Sequence, residues 1–477
     1  MKLCSLIKNI SIRNLGNITV EITGLYHKDI EVKENGLFFC LRGTRVDGNN
    51  FVQSAIKNGA VAIVTEQEIH GISGITQVIV KNAREAMSII SCRFFGEPAK
   101  KLKIIGVTGT NGKTTITNML ASALKKSNQK VAVVGTNGVF IGDKKYETNM
   151  TTPDPIELQK YLAFMVKNHI KYVCIEVSAH AIDLHKIDGM CFEVVIFTNL
   201  TEDHLDYFKT MERYFEAKRA LFSKKYAKFA VLNAADDYSK KIIDSINIPY
   251  VTYSNDSEAD YFATFSKTEN GRQIININNS YELSLPLLGK FNISNALAAV
   301  AALKVLEFSY DLIFKGLEEM KQVDGRFNSY EISKRTFIID YAHTPDGLKN
   351  ILQAAKELAG EKKLISVFGC GGNRDAQKRP IMGEISDSLA DFSIITTDNP
   401  RFERPEDIAR DIVKGIKSDR YLVCIDRGSA IKKAFEISNA GDIIVIAGKG
   451  AEDYIEESGV KIPYSDYAEI EKIRRTL

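Results

Sequence analysis

The chain has 477 residues, of which 44% are hydrophobic and 26% are charged, a composition typical of a soluble globular protein. Its 63 basic and 60 acidic residues leave a net charge of +3. This near balance gives no support to a dedicated nucleic-acid or membrane-surface binder, because such proteins carry a clustered basic excess. It is compatible with a local basic pocket for an anionic substrate. The length predicts about two to four domains.

The N-terminal segment is not expected to be a signal peptide, because Lys8 and Arg13 interrupt its apolar positions. No stretch approaches the roughly 20 apolar residues that cross a bilayer. The seven cysteines are scattered and form no Cys-x-x-Cys pair, so we expect reduced thiols. These features predict a cytoplasmic protein without membrane insertion, and we expect a monomer.

Apolar runs of strand length alternate with helical patterns along the chain, which predicts an α/β fold with parallel sheets. The runs occupy residues 60–65, 103–109, 130–135, 171–178, 193–199, 229–233, 336–342, 363–369, 393–398 and 442–448. The segment 257–285 differs, because apolar and polar residues alternate there around a turn-like ENG sequence. That alternation predicts antiparallel strands.

Two breaks in this pattern suggest domain boundaries. The first lies near 98–102, where a charged stretch precedes a strongly apolar strand. The second lies near 324–335, between helix-like segments and the next strand. We therefore predict three domains, at residues 1–100, 101–327 and 328–477.

The strongest local signal is GVTGTNGKTTITNMLASAL (106–124), in which a strand enters a Gly-rich turn and then a helix. Gly109 and Gly112 allow the backbone N–H groups to face a phosphate at the helix N-terminus. Lys113 can reach the β- and γ-phosphates, and the Thr114 hydroxyl can hold Mg²⁺. Val107 departs from the usual spacing of this motif, and an ordinary Gly-rich turn is the alternative.

GTNGKTT (109–115) resembles the P-loop of the Mur ligase family and of its relatives, the folylpolyglutamate synthetases. Further motifs follow in the family's order: 149–155, 176–180, 197–208, 214–222, 291–299, 340–348, 369–380, 398–401 and 447–454. Together they resemble the branch that adds a diamino acid to UDP-MurNAc-L-Ala-D-Glu. The N-terminal hundred residues match more loosely, chiefly through GLFFCLRGTRVDGNNF (36–51).

The resemblance implies three α/β domains: a small N-terminal domain for the uridine nucleotide, a central P-loop ATPase and a Rossmann-like C-terminal domain for the amino acid. It implies a ligase of peptidoglycan precursor synthesis. ATP would phosphorylate the D-Glu γ-carboxylate of UDP-MurNAc-L-Ala-D-Glu, and the amine of a diamino acid would then attack the acyl phosphate. ADP and phosphate would leave.

The resemblance also implies the residues that bind ATP. They are Gly109, Thr110, Asn111, Gly112, Lys113, Thr114, Thr115, Asn292, Asn295, Arg326, Asp340 and His343. Lys113 and Arg326 are expected to act in catalysis together with Lys218. Arg326 lies at the domain junction, where an arginine could reach the γ-phosphate only when the domains close. A salt bridge within the linker is the alternative for Arg326.

Mg²⁺ is the expected cofactor: by resemblance Thr114 and Glu176 hold one ion, and His204 with a carbamylated Lys218 holds a second. Glu176 ends an apolar strand, where the C-terminal edge of a parallel sheet faces the ligand crevice. Its hard carboxylate oxygen suits Mg²⁺. The ordinary alternatives are a solvated carboxylate for Glu176, a structural histidine for His204 and a helix-surface cation for Lys218.

By resemblance Thr151, Thr152, Ser178 and Lys186 contact the muramoyl-dipeptide. Four positions depart from the family pattern: Asp29 lies in Lys28-Asp29-Ile30 where Asp-Ser-Arg is common, Ala179 replaces a Ser, Leu184 replaces a Gln, and Lys186 replaces an Arg. Lysine keeps the charge but loses the planar fork that grips a carboxylate. A paralogue acting on a modified substrate is therefore an open alternative.

The amino acid is expected to be meso-diaminopimelate, which differs from lysine by a distal carboxylate. The guanidinium of Arg401 can bind this carboxylate through two hydrogen bonds and repel a lysine ammonium. The resemblance implies that the site comprises Arg374, Asp398, Asn399, Pro400, Arg401, Gly448 and Glu452. Arg401 could instead pair with Glu403 or Asp398. Ala451 replaces the usual His, so L-lysine or another diamino acid such as lanthionine is an alternative substrate.

Three other functions are alternatives to a diamino-acid ligase. A ligase for folate or another acid is disfavoured by the motifs at 369–380 and 398–401. A scaffolding protein without catalysis is disfavoured by the intact Lys113, Glu176 and Lys218. A P-loop motor or nucleic-acid ATPase is disfavoured because the chain lacks a basic face and helicase-like motifs.

Overall fold

The computed structural model describes residues 1–43, 46–148, 150–255 and 258–476. Thr44 and Arg45 of the 36–51 motif lie outside the described residues, as do Asn149 of the 149–155 motif and Ser257 of the predicted antiparallel segment. Within the described ranges, no helix combines the length and the apolar character needed to span a bilayer.

The N-terminal sheet has the strand order β1-β5-β4-β3-β2. Its strands are β1 (Ser11–Leu15), β2 (Gly24–Tyr26), β3 (Gly36–Phe39), β4 (Ala60–Thr65) and β5 (Thr76–Val80). Its helices are α1 (Leu3–Leu6), α2 (Val52–Lys57) and α3 (Ala83–Phe94), with 3₁₀ turns at Asp29–Glu31, Gly48–Phe51 and Pro98–Lys101. The strand β1 runs antiparallel to β5, and the other neighbouring strands of this sheet are parallel to each other. The continuous apolar run of β4 is typical of a strand with both faces covered.

The central sheet has the order β16-β15-β14-β13-β12-β11-β6-β10-β7-β8-β9. Its strands are β6 (Lys103–Thr108), β7 (Val131–Gly135), β8 (Gly138–Ile141), β9 (Lys144–Tyr146), β10 (Tyr172–Glu176), β11 (Val194–Phe197), β12 (Ala230–Asn233), β13 (Tyr250–Ser254), β14 (Tyr261–Glu269), β15 (Arg272–Ile277) and β16 (Tyr281–Leu285). Its helices are α4 (Lys113–Lys126), α5 (Pro155–Lys167), α6 (Ala179–Asp183), α7 (Leu205–Phe208), α8 (Met211–Arg219), α9 (Asp237–Ile243), α10 (Lys290–Val305) and α11 (Tyr310–Glu318).

The middle of this sheet, from β13 to β7, is parallel. The predicted antiparallel segment is confirmed, because β14, β15 and β16 pair antiparallel with one another. The strand β6 lies between β11 and β10, so the chain winds away from it in both directions. In such sheets the ligand crevice forms at the carboxyl end of this switch point, which is where the P-loop follows β6.

The C-terminal sheet has the order β17-β18-β22-β19-β20-β21, and β23 and β24 form a separate hairpin. The strands are β17 (Asn328–Ile332), β18 (Arg335–Asp340), β19 (Leu364–Phe368), β20 (Phe392–Ile395), β21 (Tyr421–Val423), β22 (Ile443–Ala447), β23 (Tyr454–Glu457) and β24 (Val460–Pro463). The helices are α12 (Pro345–Ala359), α13 (Lys378–Leu389), α14 (Pro405–Val413), α15 (Arg427–Ile437) and α16 (Asp466–Arg475). All ten apolar runs quoted above coincide with strands, and the boundaries after residues 100 and 327 stay predictions.

A buried ion pair joins the last helix to this sheet. Arg427 donates from Nε and Nη2 to the two carboxylate oxygens of Asp466, each at 2.8 Å. The same guanidinium donates to the carbonyls of Thr397, at 3.2 Å, and Ala447, at 3.0 Å. Both charged side chains are fully buried. The pair thereby fixes the chain where it leaves β20 and β22, next to the predicted amino-acid site.

Candidate active site

A cavity of about 470 Å³ opens between the P-loop and the start of the C-terminal sheet. Most of the predicted ATP, metal and dipeptide residues line it: Thr110, Asn111, Gly112, Lys113, Thr114, Thr115, Thr151, Glu176, Ser178, His204, Lys218, Asn295, Arg326, Asp340 and His343. The cavity wall does not include Gly109, Thr152 and Asn292, but each of them is hydrogen-bonded to a residue of the wall. Lys186 lies apart from the cavity wall.

The two P-loop glycines are required by backbone geometry. Gly109 has φ +147°, and a Cβ there would lie 1.8 Å from Oγ1 of Thr198. Gly112 has φ +88°, and a Cβ there would lie 2.6 Å from Oδ1 of Asn295. The helix α4 begins at the next residue, Lys113, so its free N–H groups face the cavity.

Two lysines, the half-buried Lys113 and the buried Lys218, converge on one carbonyl of the P-loop. Lys113 Nζ donates to the carbonyl of Gly109 at 2.9 Å and to that of Thr110 at 2.7 Å. Lys218 Nζ donates to the same Gly109 carbonyl at 2.8 Å and lies 4.7 Å from the ring centre of Tyr214. Burial lowers the pKa of both amines, and the neighbouring Lys113 cation lowers that of Lys218 further. Lys218 is 1% exposed, so the helix-surface alternative is wrong.

Glu176 is buried at the end of β10, so the solvated-carboxylate alternative is also wrong. Its carboxylate accepts from the backbone N–H of Thr136, at 3.0 Å, and from the Thr136 hydroxyl, at 3.1 Å. A Cβ at Gly135 would lie 2.1 Å from Glu176 Oε1, so the glycine makes room for the carboxylate. Sequence reasoning missed Thr136, which follows β7 and could have been found as the residue after a neighbouring parallel strand.

His204 is held beside an acid that sequence reasoning missed. Its Nε2 lies 3.2 Å from Oδ2 of Asp203, and its ring meets that of His180 edge-on at 4.7 Å. Burial lowers the pKa of His204 to about 3. Burial alone would raise the pKa of Asp203, but nearby groups, His204 first, lower it to about 2. The neutral ring and ionised carboxylate suit a cation, and the acidic TED sequence before His204 is the signal for Asp203.

Arg326 reaches across the junction between the central and C-terminal sheets. Its Nη2 donates to Oγ1 of Thr114 at 2.9 Å, and its guanidinium lies 4.7 Å from the ring centre of Tyr341. The arginine therefore meets the P-loop hydroxyl rather than forming a salt bridge within the linker. A second contact, missed from sequence, joins Nδ2 of Asn111 to Oδ2 of Asp346 at 2.8 Å.

Asp340 ends β18 and His343 follows it, and both face the cavity from the C-terminal side. The Asp340 carboxylate accepts from the N–H groups of Phe327, at 2.8 Å, and Ala342, at 2.7 Å. Burial raises the pKa of Asp340, and the Arg326 charge opposes this shift. Nδ1 of His343 lies 2.9 Å from the Tyr341 carbonyl, which holds its ring in place.

The two asparagines of α10 are linked to each other. Asn295 Nδ2 donates to Oδ1 of Asn292 at 3.1 Å, and Asn292 Nδ2 donates to the Leu288 carbonyl at 2.8 Å. Both side chains are buried. Asn295 thus presents its carbonyl toward Gly112, at the phosphate end of the cavity.

The predicted dipeptide residues lie beside Glu176. The hydroxyls of Thr151 and Thr136 are 3.1 Å apart, and Thr152 donates to the Glu176 carbonyl at 2.8 Å. Ser178 caps α6 by accepting from the N–H of Ala181. Lys186 pairs with Oδ1 of Asp154 at 2.9 Å, so its charge is partly satisfied within the chain. The two threonines and Ser178 therefore group their hydroxyls around the end of β10.

The predicted amino-acid residues form a second group, on the loops after β20 and β22. Arg401 has φ +53°; its Nε donates to Oε2 of Glu456 at 3.1 Å, and its Nη1 donates to the Gly372 carbonyl at 2.9 Å. The pairing of Arg401 with Glu403 or Asp398 is therefore wrong. Glu403 instead binds Arg379, at 2.8 Å.

A buried lysine that sequence reasoning missed organises the acidic end of this group. Lys449 Nζ contacts Asp398 at 3.3 Å, Asn399 at 3.0 Å and Glu452 at 3.0 Å. Asn399 Nδ2 also donates to Glu452, at 3.0 Å. The GKG motif places this lysine beside the predicted ammonium-binding residues, but nothing in the sequence indicates that it points inward.

Tight backbone approaches hold the loops of this second group together. Gly448 has φ +117°, and a Cβ there would lie 3.2 Å from Oδ2 of Asp398. A Cβ at Gly372 would lie 1.9 Å from the Pro400 carbonyl. Arg374 reaches the central region, where Nη1 lies 3.4 Å from Oδ2 of Asp206. This second group thereby faces the His204 side of the cavity.

No three His, Cys, Asp or Glu side chains cluster as a preformed metal site within the described ranges. The predicted metal set contains only two residues of these types, Glu176 and His204. Its other members are the hydroxyl of Thr114 and the amine of Lys218. Phosphate oxygens of a bound nucleotide would therefore have to complete the coordination of a cation held by these groups.

Three family models match the chain: the Mur ligase family catalytic domain at residues 21–94, the Mur ligase middle domain at 107–303 and the Mur ligase glutamate ligase domain at 325–450. A UDP-N-acetylmuramoyl-L-alanyl-D-glutamate–2,6-diaminopimelate ligase from Clostridium acetobutylicum is 42% identical over 92% of both chains. Its namesake from Caldanaerobacter subterraneus is 39% identical over 99% of both. A solved structure of a ligase with this name is 31% identical, covers 100% of this chain and 99% of its own, and has a TM-score of 0.71.

Proposed function

Because the chain belongs to the Mur ligase family, we propose that it is an ATP-dependent ligase that joins meso-diaminopimelate to UDP-MurNAc-L-Ala-D-Glu in peptidoglycan precursor synthesis. The observation that carries this proposal is the convergence of Lys113 and Arg326 on one cavity beside the buried Glu176. Phosphoryl transfer to a carboxylate needs such concentrated positive charge, because both reactants are anions.

In the first step, a carboxylate oxygen of the D-Glu side chain forms a bond to the γ-phosphorus of ATP, and the bond from that phosphorus to the β,γ-bridging oxygen breaks. The P-loop N–H groups and Lys113 hold the phosphates. Arg326 approaches from the C-terminal side and can follow the charge on the transferred group. The products are ADP and an acyl phosphate.

In the second step, the amine of the diamino acid attacks the acyl carbon, and the tetrahedral intermediate collapses with loss of inorganic phosphate and a proton. The hydroxyls of Thr151, Thr152 and Ser178 lie beside Glu176 and can orient the dipeptide. The amino-acid site on the loops after β20 and β22 delivers the amine. Closure of the central and C-terminal domains would bring the amine to the acyl phosphate and exclude water from it.

The chemistry of the donor groups fits Mg²⁺. Glu176 offers a hard carboxylate oxygen, Thr114 a hydroxyl and His204 a neutral ring nitrogen. A bound Mg²⁺ would neutralise charge on the phosphate oxygens. Lys218 fits carbamylation, because this reaction with CO₂ requires a neutral amine and burial lowers the pKa of this one. We therefore propose Thr114, Glu176, His204 and carbamylated Lys218 as the cation-binding set.

Selection of diaminopimelate is assigned to Arg401. Its guanidinium would bind the distal carboxylate, whereas Glu452, with the Gly448 carbonyl, would take the distal ammonium. Arg374 would bind the other carboxylate, and Asn399 and Asp398 shape the pocket. We further propose a cytoplasmic monomer that binds neither nucleic acid nor membranes, which agrees with the small net charge.

The proposal is tested by product formation with a panel of amino acids. Purified enzyme, ATP, Mg²⁺ and UDP-MurNAc-L-Ala-D-Glu are incubated with meso-diaminopimelate, L-lysine or lanthionine, and the amide product is identified by mass. We expect ADP release to depend on both substrates and the highest kcat/KM for meso-diaminopimelate. The proposal would be contradicted by ATP hydrolysis whose rate does not depend on UDP-MurNAc-L-Ala-D-Glu, or by ATP hydrolysis that DNA or RNA stimulates.

A further inference from the structure

The hairpin strand β23 is attached to the predicted amino-acid site through one residue, Glu456. Its backbone N–H donates to Oδ1 of Asn399 at 2.8 Å. Its backbone carbonyl accepts from the N–H of Arg401 at 2.9 Å. Its carboxylate accepts from Nε of Arg401 at 3.1 Å. A single residue thus contacts both Asn399 and Arg401, two of the polar side chains assigned to the amino acid on this loop.

The guanidinium of Arg401 is held on two sides. An arginine carries five N–H groups in a planar fork, one on Nε and two on each terminal nitrogen. Glu456 engages Nε, and the Gly372 carbonyl engages one N–H of Nη1. Within the described residues Nη2 has no hydrogen-bonded partner, so N–H groups on both terminal nitrogens remain for a ligand. Two adjacent groups of this kind match the two oxygens of a carboxylate.

The backbone of Arg401 is fixed as well. Its φ of +53° is uncommon for a residue with a side chain. The N–H and carbonyl of Arg401 are both bonded to the hairpin, to the Glu456 carbonyl and the Ser458 N–H. These backbone bonds do not involve the Glu456 side chain. Truncating that side chain should therefore leave the loop in place and release only the guanidinium.

We propose that Glu456 is a positioning residue for amino-acid selection: it orients the Arg401 guanidinium so that its terminal N–H groups point to the distal carboxylate of the substrate. This inference rests on the proposed function. Arg401 is 21% exposed and Glu456 29% exposed at the side chain, so without the contact the guanidinium would have freedom to leave this orientation. Binding would then cost the ordering of a long side chain.

The opposite role, a carboxylate that competes with the substrate for Arg401, is disfavoured by the contact geometry. A competitor would occupy the terminal nitrogens, as a substrate carboxylate would. Glu456 makes its hydrogen bond to Nε instead. The negative charge of Glu456 weakens binding of a carboxylate at Arg401, whereas its hydrogen bond to Nε favours binding by orienting the guanidinium. Glu456→Gln removes the charge and keeps a hydrogen-bond acceptor, so this variant separates the two effects.

The experiment compares Glu456→Ala, Glu456→Gln and Glu457→Ala with the wild type. Glu457 is the adjacent residue of β23, and successive side chains of a strand point to opposite faces, so it controls for loss of an acidic side chain. Each protein is assayed for KM and kcat with meso-diaminopimelate and with L-lysine at saturating ATP and UDP-MurNAc-L-Ala-D-Glu.

We expect Glu456→Ala to raise the KM for meso-diaminopimelate about three- to tenfold, the cost of ordering one side chain, with kcat nearly unchanged. Glu456→Gln keeps an acceptor for Nε and should match or fall below the wild-type KM, and Glu457→Ala should be unchanged. The kcat/KM for L-lysine should not respond, because lysine has no distal carboxylate. A merely structural role would instead affect both amino acids.

An unchanged or lower KM in Glu456→Ala, or an equal loss in Glu456→Gln, would overturn the positioning role. A loss shared by both amino acids would overturn it too. A wild type that uses L-lysine but not meso-diaminopimelate would refute the proposed function, and this inference with it. A wild type selective for meso-diaminopimelate, combined with an indifferent Glu456→Ala variant, would refute this inference alone.

Discussion

Lys218 offers the sharpest test of the catalytic assignment, because two replacements separate its chemistry from its packing. The side chain is 1% exposed, so Lys218→Ala would create a cavity, at a cost of about 2–5 kcal/mol by analogy with other large-to-small core changes. Lys218→Met keeps most of the volume, and similar volume-conserving changes cost less than about 1.5 kcal/mol. The Gly109 carbonyl would still accept from Lys113 in either variant.

Activity should respond differently from stability. If Lys218 carries the carbamate, both variants lose a charged group at the phosphoryl-transfer site, and kcat should fall on the order of a hundredfold or more. An ordinary lysine amine, with a pKa near 10.4, is only about 0.4% neutral at pH 8. Burial lowers the pKa of Lys218 and raises that fraction, which favours reaction with CO₂.

The assay measures ADP release with and without added acetate or formate, alongside thermal unfolding. A small carboxylate can enter the space left by Lys218→Ala and should restore part of the activity, whereas Lys218→Met fills that space and should not be rescued. Labelling with ¹³C-bicarbonate should give a carbamate carbon signal that Lys218→Met lacks. A fully active enzyme whose intact mass shows a plain amine, or near wild-type turnover by Lys218→Met, would refute the reasoning.

Three other changes give further tests. Lys113→Ala should lower kcat on the order of a hundredfold or more while far-UV circular dichroism stays unchanged, and near wild-type ligation would contradict the P-loop assignment. Arg401→Ala should lose the preference for meso-diaminopimelate over L-lysine in kcat/KM, so a variant that keeps full selectivity would remove Arg401 from the site. His185 lies 2.9 Å from Asp188, and this hydrogen bond raises the pKa of His185. Its stabilising contribution is complete below the unfolded pKa of about 6.5 and is lost as pH rises through the higher folded pKa. The thermal midpoint should therefore fall more between pH 6 and pH 9 in the wild type than in His185→Gln, and equal slopes would exclude this linkage.

The fold was largely predictable because its signals are local. The continuous apolar runs at 60–65 and 442–448 are long enough to identify buried strands, and both form strands at the expected places. The P-loop was predictable for a related reason, since strand, glycines and helix N-terminus lie within one short segment. Lys113 and Thr114 follow from that segment without knowledge of any distant contact.

The groups that complete the site could not be predicted in this way, because each depends on a distant part of the chain. Thr136 meets Glu176 only because β7 and β10 are neighbours. Asp346 contacts Asn111 across the junction between two sheets. Lys218 shows the limit most clearly, since its helix carries many charged residues and only the packing of α8 shows that this one is buried.

The same dependence applies to the pairing of Arg401. Its acidic neighbours in sequence include Glu403, but the partner is Glu456, which the hairpin brings back from 55 residues later. The spacing of residues in the sequence does not predict that β23 returns to the loop after β20 and contacts Arg401 there. The domain limits at residues 100 and 327, and the roles of individual site residues, stay predictions for the experiments above.

The buried pair of Arg427 and Asp466 gives the last helix an importance that its distance from any substrate would not suggest. A chain that ended before Asp466 would leave the Arg427 guanidinium without its counter-charge, and breaking such a pair typically costs about 3–5 kcal/mol. The orphaned cation lies under the carbonyls of Thr397 and Ala447, which directly precede Asp398 and Gly448. Proteolytic trimming of the tail should thus disturb the proposed amino-acid site before it removes any residue assigned to that site.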